Sequence, residues 1–197
     1  MAGVMTTTTT ATEMCKLLNL VPHPGGGFYK ESFRDSDISL SADSLPPRYK
    51  VERPVSSAIY FLMPAGTVSC IHRIPCTELW HFYAGDPLTV FELDEEGNMK
   101  HIVLGMDIAA GQTPQYKTKP MVWFGAYPTK DIAEFPEDGS NPLVKAAPRD
   151  PEYHYSLIGC TCAPAFQVED CDLATRSELL ALHPEAHEFI EYLTKDN

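Results

Sequence analysis

Between Val55 and Ala126 the chain alternates short apolar or alternating runs with turn signals. SSAIYFLM at 56–63, TVSCIHRI at 67–74, ELWHFY at 78–83, LTVFELD at 88–94, MKHIVLGM at 99–106 and MVWFGAY at 121–127 each predict a strand. Pro64-Ala65-Gly66, Ala84-Gly85-Asp86-Pro87 and Glu95-Glu96-Gly97-Asn98 punctuate them. Short strands at such even spacing predict an antiparallel sandwich or barrel. FYKESFR at 28–34 adds a strand before this block and YHYSLIGCTCAPAF at 153–166 adds one after it. The proline-bearing stretch 35–54 reads as a long loop or lid, and 128–152, rich in Pro, Asp, Glu and Gly, as a surface insertion.

Helical spacing is confined to the two ends. Met14, Leu17 and Leu18 predict a short helix, stopped by Pro22, Pro24 and Gly25–Gly27. Thr175-Arg176-Ser177-Glu178 is a capping-box pattern, and the periodic run after it is interrupted at Pro184. Residues 1–11, with five consecutive threonines, are expected to form a tail, and 12–197 a single domain with a helical extension from about 175.

The candidate chemistry lies in GTVSCIHRIPCTELWHFYAGDPL at 66–88, where His72, Glu78 and His81 interrupt an apolar, strand-like background. Strand alternation places Glu78, Trp80 and Phe82 on one face and Leu79, His81 and Tyr83 on the other, so Glu78 and His81 point apart unless a bulge intervenes. A carboxylate buried without a partner is costly, which marks Glu78 as functional. Cys160 and Cys162 share one face of a strand, and without further thiols nearby they make no metal site.

The spacing from Gly66 through His72 and Glu78 to Gly85 is nearly the first cupin motif, with Ile74 where a second histidine usually stands. The blocks at 18–34, 58–73, 78–88, 104–115 and 157–166 together resemble the cupin family long catalogued as a domain of unknown function. The resemblance implies a mainly all-β cupin jelly roll, or double-stranded β-helix, with a short N-terminal helix and C-terminal helices. It also implies a homodimer. Metal cupins take a further histidine from a second motif, and the corresponding TKPMVWFGAYP has none. The leading expectation is therefore a small-ligand site without cofactor, with His72 and Glu78 as catalytic acid and base. Its ligand contacts are expected from Tyr29, Lys30, Tyr60, Ser69, Arg73, Trp80, His81, Phe82, Gln115 and Trp123. The alternatives are a metal-dependent oxygenase or isomerase, with a divalent ion on His72, Glu78 and His81, and a non-catalytic binding protein.

Composition narrows the partners. A formal charge of −12 and a pI near 4.9 argue against polymeric nucleic acid but leave room for one nucleotide. Cupins include the dTDP-4-dehydrorhamnose 3,5-epimerases, and that likeness implies a nucleoside diphosphate or nucleotide sugar as ligand and an epimerase- or isomerase-like reaction. Six dispersed cysteines without a CxxC pair predict free thiols. No apolar run is long enough to cross a membrane, and the threonine-rich start has no signal-peptide pattern, so a cytoplasmic location without membrane contact is expected.

Overall fold

The computed structural model describes residues 9–134 and 142–195. Its strands run in chain order as β1 (Val21–Pro22), β2 (Phe28–Arg34), β3 (Ser39–Leu40), β4 (Arg53–Pro54), β5 (Ser57–Pro64), β6 (Ser69–Arg73), β7 (Thr77–Gly85) and β8 (Leu88–Leu93). They continue as β9 (Met99–Leu104), β10 (Gln115–Thr118), β11 (Trp123–Pro128), β12 (Ile132–Glu134), β13 (Val144–Lys145), β14 (Tyr155–Ala163) and β15 (Asp172–Leu173). The helices are α1 (Ala11–Leu18), α2 (Arg176–Leu182) and α3 (His187–Leu193). A six-stranded sheet, β1-β2-β5-β14-β7-β10, faces a five-stranded sheet, β15-β6-β11-β8-β9. Phe61, Met63, Trp80, Ile158, Cys160 and Cys162 from the first sheet meet Leu88, Val90, Leu104, Phe124 and Ala126 from the second. This is the mainly-β jelly roll that the strand pattern and the resemblance predict.

Each sheet's outer face is partly covered by helix. Phe91, Leu93 and Tyr127 pack beneath Leu179, Phe189, Ile190 and Leu193 of the C-terminal helices, with Phe91 and Phe189 stacked at 5.1 Å. Ala11 and Leu20, from α1 and the turn after it, pack with Leu62, Tyr155 and Leu157 of the other sheet. Both α1 and α2 begin in capping boxes, Thr10 with Glu13 and Thr175 with Glu178. Most of the tail assigned to 1–11 lies outside the described residues, but Thr10 already caps α1 and Tyr155 donates to the Thr9 carbonyl at 2.8 Å. Part of the 128–152 insertion also lies outside them, and its flanks pair as β12 and β13.

The turn at Gly85-Asp86-Pro87, which the sequence suggests is a hairpin, instead carries the chain from one sheet to the other, because β7 and β8 belong to different sheets. Gly85 has φ +90°, and a Cβ there would lie 2.1 Å from the Tyr155 carbonyl oxygen, so only glycine fits. Asp86 is then held by Lys130 at 2.6 Å, Arg149 at 2.6 Å and His154 at 3.1 Å.

The loop from 35 to 54 is fastened at its end. Arg53 pairs with Asp170, both side chains fully buried, and its guanidinium lies 4.7 Å from the Tyr49 ring centroid. Asp170 also accepts the Lys50 amide at 2.9 Å, and Arg48 Nε donates to the Pro75 carbonyl at 2.9 Å. Tyr49 and Leu45 consequently pack against the inter-sheet core. Removing one member of a buried pair leaves the other charge uncompensated, so Asp170→Ala is expected to lower the unfolding free energy by about 3–5 kcal/mol in urea denaturation. A loss of less than about 1 kcal/mol would show that the pair does not fasten the loop.

Candidate functional site

β7 is hydrogen-bonded on both edges, to β14 and to β10, and this double pairing orients its side chains. Glu78 stands opposite Cys162 and Thr118, and Trp80 opposite Cys160 and Tyr116, so these six side chains share the inner face. Glu78 is 8% exposed, and its Oε2 has no hydrogen-bond partner among the described residues. Burial raises its pKa from 4.5 to about 7, against the opposing hydrogen bond of the Cys160 thiol. At neutral pH the carboxyl is thus divided between acid and carboxylate, the condition in which one group can both give and take a proton.

Thiols surround this carboxyl. Cys162 hydrogen-bonds with Cys76 and is pushed well above the ordinary thiol range by that contact and by burial. Burial likewise holds Cys160 protonated and raises Cys171 to about 11, with the nearby Glu78 charge adding to both. Such thiols are poor nucleophiles and act as soft, uncharged lining. The Cys160/Cys162 pair considered in the sequence without neighbours therefore does have one, since Cys76 precedes β7 by one residue and β7 pairs with β14.

His72 lies on β6 opposite Phe124, with the two ring centroids 4.2 Å apart. Its Nδ1 is 2.8 Å from the Cys70 carbonyl; a proton assigned to Nδ1 is donated there, leaving Nε2 as an acceptor. Burial lowers its pKa to about 4, with His23 adding to the shift, so the imidazole is neutral. A second carboxyl shares the interior. Glu92 is opposite Phe124, 8% exposed, and accepts from Tyr116 at 3.0 Å, while Lys100 donates to the same Tyr116 hydroxyl at 2.8 Å. Burial raises the Glu92 pKa despite that bond. Trp80 Nε1 donates to Thr118 at 3.1 Å.

The remaining candidates divide by strand alternation. Tyr29, Trp80 and Phe82 pack with the interior core, and Ser69 is buried at the start of β6. Lys30 and Tyr60 are cross-strand partners on the outer face of the six-stranded sheet. His81 and Gln115 are paired on the same outer face, with His81 Nδ1 3.2 Å from the Gln115 amide, His81 Nε2 3.4 Å from Thr161, and the ring parallel to Tyr83. Arg73 and Trp123 lie outside the five-stranded sheet, the guanidinium 4.4 Å from the indole centroid and bonded to Asp172 at 3.1 Å. Lys30, Tyr60, Arg73, His81, Gln115 and Trp123 therefore do not converge on Glu78. Because His81 points out of the barrel, the set His72, Glu78 and His81 does not fit one metal ion. Among the described residues no group of three His, Cys, Asp or Glu side chains is arranged to hold one. The residues that the sequence reading missed are Glu92, Tyr116, Thr118, Lys100 and Cys76, and the signal for most of them is register: inward positions alternate from Glu78 and Trp80 across to their partners.

Between pH 4.5 and about 7 the folded protein keeps a Glu78 proton that the unfolded chain has released, so this group's contribution to stability falls as pH rises through that window. The total fall is about 3 kcal/mol. His72 and His101, both lowered to about 4, act in the opposite sense below pH 6.5, so a difference between variants isolates Glu78. Relative to the native protein, Glu78→Gln is expected to gain about 3 kcal/mol between pH 4.5 and 7 and to be level outside that range in urea denaturation. A difference independent of pH would refute the raised pKa.

The chain matches the family model described as Cupin superfamily (DUF985) over residues 12–174. No curated protein matches it. Among solved structures, protein SO0799 from Shewanella oneidensis is similar at 30% identity and a TM-score of 0.71, covering 95% of this chain and 99% of that one. A hypothetical protein from Leishmania major is similar at 25% identity and a TM-score of 0.75, with the same coverage of 95% and 99%. Oxalate decarboxylase from Bacillus subtilis is a looser likeness, at 10% identity and a TM-score of 0.46 over 89% of this chain and 37% of that one. No described helix is long and apolar enough to cross a membrane. The two-sheet fold, the inward Glu78 on β7 and a family match running from α1 to the end of β15 lead to one assignment: the chain belongs to the cupin superfamily, in the family DUF985.

Proposed function

We propose that the barrel interior binds a small organic molecule and that Glu78 exchanges a proton with it, the chemistry of an epimerase or isomerase. The observation that carries this reading is the buried Glu78 carboxyl, with one oxygen unpartnered among the described residues and a pKa near 7. A stably folded core gains nothing from an unpaired buried oxygen, whereas a ligand can pair it. Neutral His72 supplies a second polar contact, and Trp80, Phe82 and Phe124 supply the apolar walls.

The narrower reading is a nucleoside diphosphate or a nucleotide sugar. Lys30 and Arg73 face away from the interior, so a phosphate would have to be met by Lys100, whose position on β9 is opposite Glu92. A cytoplasmic homodimer is the assembly that accompanies this reading.

The test uses UDP, ADP and nucleotide sugars bearing a ketone, whose neighbouring C–H is acidic enough to exchange. In deuterium oxide the native protein is expected to introduce one deuterium into such a sugar, read by mass spectrometry. Glu78→Gln should slow this about 100-fold or more, and His72→Ala should weaken ligand binding in calorimetry. Exchange at the native rate in Glu78→Gln, or no binding of any of these compounds, overturns the proposal.

A further inference from the structure

The five-stranded sheet carries a cavity on the face turned away from Glu78. It has a volume of about 340 Å³ and lies over β8, β9 and β11, at Thr89, His101, Val103 and Tyr127, with Ile132 of β12 closing one side and Glu134 at the rim. These positions alternate with the inward Leu88, Val90 and Ala126, so the sheet itself separates the two sites. A water molecule's share of liquid volume is about 30 Å³, so the space suits a ring and not one ion or solvent molecule.

One hydrogen bond is left open there. Tyr127 is 1% exposed, and its hydroxyl lies beside Thr89 without meeting hydrogen-bond geometry with any described residue. The neighbouring Thr89 hydroxyl is already 2.9 Å from that of Thr129. A buried phenol in a lined cavity can complete its hydrogen bonding by donating to a guest oxygen. The charges around it select the guest. Burial keeps the His101 imidazole neutral, its ring lying 4.5 Å from Phe189, and burial raises the Tyr127 phenol well out of the titrating range. Glu134 brings negative charge to the rim of a protein whose formal charge is already −12.

We propose that this cavity is a second ligand site, independent of the barrel interior, for an uncharged ring compound whose hydroxyl or carbonyl oxygen accepts the Tyr127 hydroxyl proton. Val103, Ile132 and the Tyr127 ring are the faces against which the ring packs.

Phenol is the probe, and benzoate is its anionic counterpart of similar shape. Titration of the full chain, followed by ligand-observed NMR, is expected to give phenol a dissociation constant on the order of millimolar. Benzoate should bind about tenfold more weakly or worse. Tyr127→Phe removes only the donor and should weaken phenol roughly fivefold to tenfold. Ala133→Trp, at an exposed position on the cavity wall, should abolish binding by filling the space without touching the core. Glu78→Gln should leave phenol binding unchanged. Phenol affinity that survives both Tyr127→Phe and Ala133→Trp, affinity lost in Glu78→Gln, benzoate equal to phenol, or no phenol binding at all would each overturn the second site.

Discussion

The double pairing of β7 with β14 and β10 is the constraint on which the site depends. Side chains alternate with a period of two, so a slip of one residue would turn Glu78, Trp80 and Phe82 outward and bring Leu79, His81 and Tyr83 in. The slip is opposed on both edges at once. It would expose the Trp80 ring and break its bond to Thr118, and it would place the His81 imidazole in a core lined by Ile158 and Cys160. One shift in register between Leu157 and Ile158 is accommodated near the Gly85 end, away from Glu78. Core packing, not the site's own polar contacts, therefore holds the catalytic candidate in place.

The interior that results is chemically uniform in one respect: its ionisable groups are driven toward their uncharged forms. Glu78 and Glu92 are raised, His72 is lowered, and Cys160, Cys162 and Cys171 are raised; desolvation contributes in every instance, opposed by local hydrogen bonds and, at Glu92 and Cys171, by nearby lysine charges. The charged network is displaced to the sheet-crossing turn, where Asp86 takes Lys130, Arg149 and His154 as partners and its pKa is lowered although burial alone would raise it. Arg149 extends that network to Asp131 at 2.9 Å, which in turn accepts the Gly66 amide at 2.7 Å. Structural charge and titratable chemistry thus occupy different places in the fold.

The amino-acid pattern made the strands, the terminal helices and the inward direction of Glu78 legible, because each rests on local periodicity or spacing. Alternation alone separated Glu78 from His81, and the structure places them on opposite faces of β7. What local pattern does not encode is which strands become neighbours. Cys76 and Cys162 are distant in sequence and meet only because β7 pairs with β14; Glu92 enters the interior only because β8 pairs with β11. Arg73 and Trp123 looked like ligand contacts by residue type, yet both fall on outward positions of their strands, where they stack on each other. The hairpin expected at Gly85 failed for the same reason. Gly, Asp and Pro identify a turn, but the sheet to which the next strand belongs is decided by long-range pairing.

The loop before β5 adds the last element of the argument. A jelly roll is open at its ends, and here Tyr49 and Leu45 are drawn onto the core at the side where Cys76 lies, with Tyr49 only 6% exposed. The contact that holds them comes from outside the interior: Arg53 and Asp170 lie in separate segments, and their side chains are fully buried together. Separating the pair would leave each charge without the partner that offsets its desolvation, so the buried ion pair resists lifting of the loop from the core. The Glu78 carboxyl is desolvated by burial in the interior that this loop helps to cover, and that desolvation raises its pKa to about 7.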